Sequence, residues 1–242
     1  MHWHYRNMVR RLLLPGLLFA RQVLMPDGCV LCGVRLRGDS MCRQCRNLLP
    51  APEPGCERCA APLPATQAPG VHCGRCQTDP PMFCKTVAAL KYAFPADSAL
   101  KAFKFNGQLH YAPAFASLVL PLLKHEFTDA DALLPVPLHR WRHAQRGFNQ
   151  AAEIAKPLAR ASALPMLRTV ERIRATPSQS GLDAAERRRN LKGAFVLRGP
   201  LSCRHPVIVD DVMTTGETCR QLSRLLIEAG AESVGVLVVA RA

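Results

Sequence analysis

Residues 207–218, Val-Ile-Val-Asp-Asp-Val-Met-Thr-Thr-Gly-Glu-Thr, set two adjacent carboxylates and a run of small polar residues between an apolar stretch and an amphipathic one. Val207, Ile208 and Val209 form the short β-branched run expected of a strand buried on both faces. Cys219, Leu222, Leu225, Leu226 and Ala229 then recur at helical spacing up to Gly230, a residue suited to a C-cap. A strand that turns directly into a helix leaves the N–H groups of its connection free. Those of Thr214, Thr215, Gly216, Glu217 and Thr218 can converge on a phosphate dianion, aided by threonine hydroxyls and the helix dipole. Gly216 lets the backbone come close. Asp210 and Asp211, at the carboxyl end of the strand, can accept hydrogen bonds from the vicinal hydroxyls of a ribose whose 5-phosphate lies in the loop. The expected ribose-phosphate site is therefore Asp210, Asp211, Val212, Met213, Thr214, Thr215, Gly216, Glu217 and Thr218. A solvated strand end followed by an ordinary N-cap would explain each residue alone, but not their order.

A second pattern belongs to metal chemistry. Eight of the eleven cysteines fall into four Cys-x-x-Cys pairs, Cys29/Cys32, Cys42/Cys45, Cys56/Cys59 and Cys73/Cys76. Each set of two pairs fits a zinc ribbon, with Gly33 and Gly74 directly after cysteines where tight turns are needed. Four sulfurs leave no coordination position for water, so the Zn²⁺ ions, two by this count, are expected to be structural. Pairing within each quartet is the expected arrangement, although spacing alone leaves an interleaved one open. Redox use of the pairs is disfavoured, because such a motif normally occurs once beside a strand and helix. The spacing implies a reducing compartment. Prolines 50, 52, 54, 62, 64 and 69 stiffen the loops of a module too small for much hydrophobic core.

The third pattern is basic. In residues 138–150, Leu-His-Arg-Trp-Arg-His-Ala-Gln-Arg-Gly-Phe-Asn-Gln, the guanidinium groups of Arg140, Arg142 and Arg146 suit bidentate binding of pyrophosphate or of nucleic-acid phosphate. The alternative is an exposed helix face. The chain carries 32 Lys and Arg against 18 Asp and Glu, a formal +14, and residues 134–205 hold 14 of the basic and four of the acidic residues. Such a surface attracts polyanions, but small phosphorylated ligands and nucleic acid are both polyanions, so charge does not separate them. Stacking of single-stranded bases needs aromatics, for which Trp141 and Phe148 are the nearby candidates.

These residues must be held by a scaffold. A strand is expected over 86–92, a short helix over 99–105 and a helix over 112–127 bent at Pro121. Residues 132–137 read as the first strand of an α/β core. A helix after Asn149, kinked at Pro157, and a last strand over 233–240 complete it. Residues 172–195 begin polar and flexible, in a place suited to a lid carrying Gln179, Arg187 and Asn190. In residues 1–28, the apolar run 12–20 is far short of the roughly 20 residues that span a bilayer, so no transmembrane segment is expected. The expected domains are a basic and apolar segment 1–28, a double zinc ribbon 29–80 and an α/β domain 86–242.

Taken together, the four cysteine pairs, Lys104-Phe105, Pro135-Val136-Pro137-Leu138, Arg146-Gly147-Phe148-Asn149-Gln150, Gln179-x₂-Leu182-x₄-Arg187-x₂-Asn190 and Val209-Asp210-Asp211-Val212-x-Thr214-Thr215-Gly216 resemble the ComF family, which includes competence proteins and the gluconate-utilisation relative GntX. Residues 207–218 resemble the 5-phosphoribosyl-1-pyrophosphate (PRPP) motif of type I phosphoribosyltransferases. The resemblance implies a type I phosphoribosyltransferase-like fold, a parallel sheet flanked by helices, behind a small zinc-ribbon module. It implies PRPP with Mg²⁺ as ligand and a cytoplasmic role, at the inner face of the membrane, in taking up transforming single-stranded DNA beside an uptake channel and a helicase. A phosphoribosyltransferase or PRPP hydrolase of nucleotide metabolism is the other reading. The sequence displays no dedicated acceptor site for it. Cys84, Cys203 and Cys219 depart from the family pattern and read as core or surface thiols.

Overall fold

The computed structural model describes residues 28–64, 70–174 and 193–242. The chain divides into two compact units, one ending at Leu48 and the other running from Leu49 to Ala242. The expected lid residues Gln179, Arg187 and Asn190, and the N-terminal segment before Gly28, lie outside the described residues.

In the first unit an antiparallel bridge joins Gly28 to Arg35, and the turn between them closes through Gly33 N–H donating to the Cys29 carbonyl. Gly33 has φ 76°, which explains a glycine at this point. Helix α1 (Arg43–Asn47) follows, with Cys42 as its N-cap accepting from Cys45 N–H through sulfur. The second unit opens with a matching design. A bridge joins Gly55 to Pro62, and α2 (Gly74–Thr78) starts from Cys73 as N-cap.

The remainder of that unit is a four-stranded, fully parallel sheet of order β1-β6-β5-β2. Its strands are β1 (Lys85–Lys91), β2 (Ala132–Pro135), β5 (Pro206–Met213) and β6 (Gly235–Arg241). A two-stranded antiparallel ribbon, β3 (Val170–Arg172) with β4 (Phe195–Leu197), lies outside it. Between strands run α3 (Ala96–Asn106), α4 (Tyr111–Glu126), α5 (Arg140–Arg146), α6 (Gln150–Ser162) and α7 (Glu217–Glu228).

The central strands are apolar because neither face meets water. Ile208, Val236 and Val238 share a buried cluster with Leu222 and Leu226 of α7. The alternate residues Val207, Val209, Leu237 and Val239 are equally buried, and α4 and α6 pack on each other and on the sheet. Helices α4 and α6 each carry their proline, Pro121 and Pro157, inside one continuous element.

Gly235 shows how tight the packing is. A Cβ there would lie 2.5 Å from the Phe127 ring. Gly235→Ala is therefore expected to destabilise the protein by about 1–3 kcal/mol, the usual range for overpacking, as measured by denaturant unfolding.

The topology also locates a crevice. Met166 bridges Leu133 in parallel on the side of β2 away from β5, so the chain leaves β2 to one side and later returns to β5 on the other. In open parallel sheets the space beyond the carboxyl ends of two such strands is where ligands bind.

Candidate functional site

Each cysteine quartet brings its four ligand atoms within 4.8 Å of one another, Cys29, Cys32, Cys42 and Cys45 in one and Cys56, Cys59, Cys73 and Cys76 in the other. Pairing is thus within quartets. Cys32 and Cys42 sulfurs are 3.8 Å apart, and those of Cys59 and Cys73 are 3.6 Å apart. Sulfurs about 2.3 Å from a common tetrahedral Zn²⁺ would lie about 3.8 Å apart, so both sets fit the ion. Burial raises the Cys29 thiol, yet backbone N–H groups of Cys42, Cys32 and Leu31 outweigh it and bring it down to about 6. Cys56 reaches about 7 in the same way, through Cys73, Cys59 and Arg58. Burial and the neighbouring thiols push Cys45 and Cys76 upward. Sulfurs crowded this closely resist holding several negative charges unless a dication joins them.

At the carboxyl ends of β2 and β5 lies a cavity of about 530 Å³. All nine residues of the expected ribose-phosphate stretch, Asp210 to Thr218, line it. Gly216, at φ 74°, is the N-cap of α7 and makes the turn from strand to helix. The two carboxylates are fixed by backbone. Asp211 N–H donates to Asp210 Oδ1 and Val212 N–H to Asp211 Oδ1, both at 2.9 Å. Lys104 Nζ stands 3.1 Å from Asp211 Oδ2. Burial, then the charge of Asp211, pushes the Asp210 carboxyl up to about 8, with Lys104 acting the other way.

The opposite wall is cationic. Arg142 and Arg146, one helical turn apart on α5, both line the cavity. Arg140 is exposed and does not line it. The basic stretch is thus a helix, one face of which lines the cavity. Arg172, at the end of β3, also lines the cavity, and its guanidinium is brought down to about 10 by burial and by Arg142, with Asp210 opposing. Burial and then Arg146 lower Arg142 as well. Three guanidinium groups crowded like this favour an anion among them.

At the rim, Phe105 is 66% exposed, with the Arg146 guanidinium 5.4 Å from its ring centroid. Trp141 is 64% exposed. Phe148 instead packs on Phe103, with centroids 5.9 Å apart.

Lys104 and Phe105 belong to a basic, glycine-ended segment, and Arg172 opens a polar stretch. Their sequence neighbours carry no signal of a site. It is α3 that brings Lys104 against Asp211, and the β3–β4 ribbon that brings Arg172 against Arg142.

Residues 20–77 match a double zinc ribbon domain and residues 144–242 a phosphoribosyl transferase domain. The chain is 35% identical over 225 residues to DNA utilization protein YhgH of Escherichia coli (strain K12), covering 90% of this chain and 98% of that one. It is 32% identical to competence protein F of Haemophilus influenzae, covering 88% and 96% of the two chains. Over 173 residues it is 29% identical to competence protein ComFC of Streptococcus pneumoniae, covering 69% and 75%. A double zinc ribbon ahead of a parallel-sheet phosphoribosyltransferase domain, in a chain that the first two of these relatives match nearly end to end, means that this chain belongs to the ComF family.

Proposed function

We propose that the cavity binds Mg²⁺·PRPP and that the protein acts in uptake and utilisation of single-stranded DNA in the cytoplasm, at the inner face of the membrane, beside an uptake channel and a helicase. The observation that carries the first part is the convergence of the carboxylate pair, the Thr214–Thr218 turn and the Arg142/Arg146 face on one cavity at the strand ends. Asp210 and Asp211 hold the ribose hydroxyls, residues 213–218 the 5-phosphate, and Arg142 and Arg146 the pyrophosphate. Arg140 is left to contacts outside the cavity. Mg²⁺ would neutralise the pyrophosphate oxygens. The two zinc quartets are structural.

The DNA role is supported by the names of the relatives and by the rim, where Phe105 offers a stacking face beside Arg142, Arg146, Lys101 and Lys104. Among the described residues no helix is long and apolar enough to cross a membrane. Binding of a single-stranded oligonucleotide should weaken with salt, each phosphate contact contributing about −0.7 to the slope of log K against log salt. Arg142→Ala with Arg146→Ala should flatten that slope. Phe105→Ala should cost about 1–3 kcal/mol, one stacked base, at unchanged slope. An unaltered slope in the double variant would place the DNA surface elsewhere.

A second reading, transfer or hydrolysis of the ribosyl group, is favoured by the Tyr92 and Phe105 rings in the cavity lining, which offer a planar acceptor a surface. In it the bond from ribose C1 to the pyrophosphate oxygen breaks, and the acceptor or water forms the new bond at C1. Release of pyrophosphate from PRPP by the wild-type protein distinguishes it from binding alone.

A further inference from the structure

Arg75 lies between Cys73 and Cys76, two cysteines of the second quartet, and its side chain reaches the phosphate turn. Its Nη1 donates to the Thr215 carbonyl at 2.7 Å and its Nη2 to Glu217 Oε2 at 2.9 Å. Glu217, the first residue of α7, is only 5% exposed, and its other oxygen accepts from Gln221 Nε2 at 2.9 Å. A buried carboxylate at this position sets a negative charge beside the N–H groups that an anion would use. Arg75 cancels that charge. It also fixes the Thr215–Gly216 peptide: with the carbonyl held by Arg75, the Gly216 N–H of the same trans plane points away from it. A second arginine reinforces the connection, since Arg241 donates to the Cys59 carbonyl through Nε and to the Met213 carbonyl through Nη1, each at 3.0 Å.

We propose that Arg75 is the positioning residue of the phosphate turn, neutralising Glu217 and holding the Thr215 carbonyl, so that zinc occupancy of the second quartet governs how tightly the cavity binds a phosphorylated ribose. The proposal rests on the reading of the cavity as a PRPP site. Zinc would hold Cys73 and Cys76, these hold the short helix α2 that carries Arg75, and Arg75 holds the anion-binding peptide planes.

The test is calorimetric titration of the full chain with Mg²⁺·PRPP and with ribose 5-phosphate, alongside zinc content and melting temperature. Arg75→Ala should weaken both ligands about tenfold to a hundredfold at unchanged zinc content, the size of a lost charge-assisted contact. Adding Glu217→Gln to Arg75→Ala should restore the part of that loss that comes from the bared Glu217 charge, a recovery that a merely structural Arg75 would not give. Removing zinc with a chelator should reproduce the loss in the wild type and add little to it in Arg75→Ala, as coupling through one residue requires. Wild-type affinity in Arg75→Ala with zinc retained, or a double variant no better than the single one, overturns the proposal and leaves the PRPP reading standing. A wild type that binds neither ligand overturns both. Should Arg75→Ala lose zinc, Arg75→Lys carries the test. It keeps the charge but cannot reach both acceptors as a fork, so affinity should fall about threefold to tenfold at unchanged zinc content, and unaltered affinity again overturns the proposal.

Discussion

Replacing Asp210 and Asp211 together by asparagine should weaken PRPP binding by two orders of magnitude or more while leaving the zinc content intact. Hydrogen bonds to a charged acceptor contribute roughly 1.5–3 kcal/mol each, and both carboxylates are lost from one end of the cavity. The stability of the Asp210→Asn single variant should move the opposite way. Burial and the charge of Asp211 raise the Asp210 carboxyl to about 8. An acid raised on folding keeps its proton in the native state where the unfolded chain, with a pKa near 4, has already released it. The native state then binds more protons than the unfolded one, and stability declines as pH rises from about 4 to about 8. Asparagine has no proton to lose, and its oxygen can still accept from Asp211 N–H. Asp210→Asn should therefore remove the decline and gain on the order of a few kcal/mol near pH 8. Affinity and melting temperature on the same samples check both signs. A variant that binds PRPP normally and melts lower would mean that Asp210 serves the fold and not the ligand.

Chelating zinc from the intact chain should give the second large effect. Coordination by four thiolates supplies on the order of 10 kcal/mol to a small ribbon, comparable to the whole stability of an ordinary domain. The strands of the sheet, by contrast, have a core of their own in Leu134, Ile208, Leu222, Val236 and Val238. Metal removal is thus expected to abolish amide protection around Cys29–Cys45 and around Cys56 and Cys76, while β5 and β6 stay protected. Hydrogen exchange before and after chelation measures this. Protection unchanged at the cysteines after zinc has gone would show that metal is not what holds them.

Much of this site was legible in the sequence because its parts are local. The carboxylates and the proposed phosphate turn fall within residues 207–218, and the chemistry of a strand-to-helix turn is written in consecutive residues. The zinc ligands were legible for the same reason, being pairs at fixed spacing. Helices α4 and α6 were legible with Pro121 and Pro157 inside them, but the place of Arg172 beside the cavity was not. Contacts distant in sequence were invisible as well. Lys104 meets Asp211 across 107 positions, and Arg75 meets Glu217 across 142. Neither lysine nor arginine is unusual in its own neighbourhood, and only the fold gives it a partner. The β3–β4 ribbon escaped notice because each strand is three residues long and too short to show alternation.

The most direct measurement of the central claim is calorimetric titration of the wild-type, zinc-loaded chain with PRPP in the presence of Mg²⁺, repeated with pyrophosphate and ribose 5-phosphate as competitors. A ribose-phosphate cavity with carboxylates at one wall and arginines at the other predicts saturable binding of one PRPP per chain, displaced by either half of the molecule. Absence of saturable PRPP binding, or PRPP binding that neither competitor displaces, would contradict it.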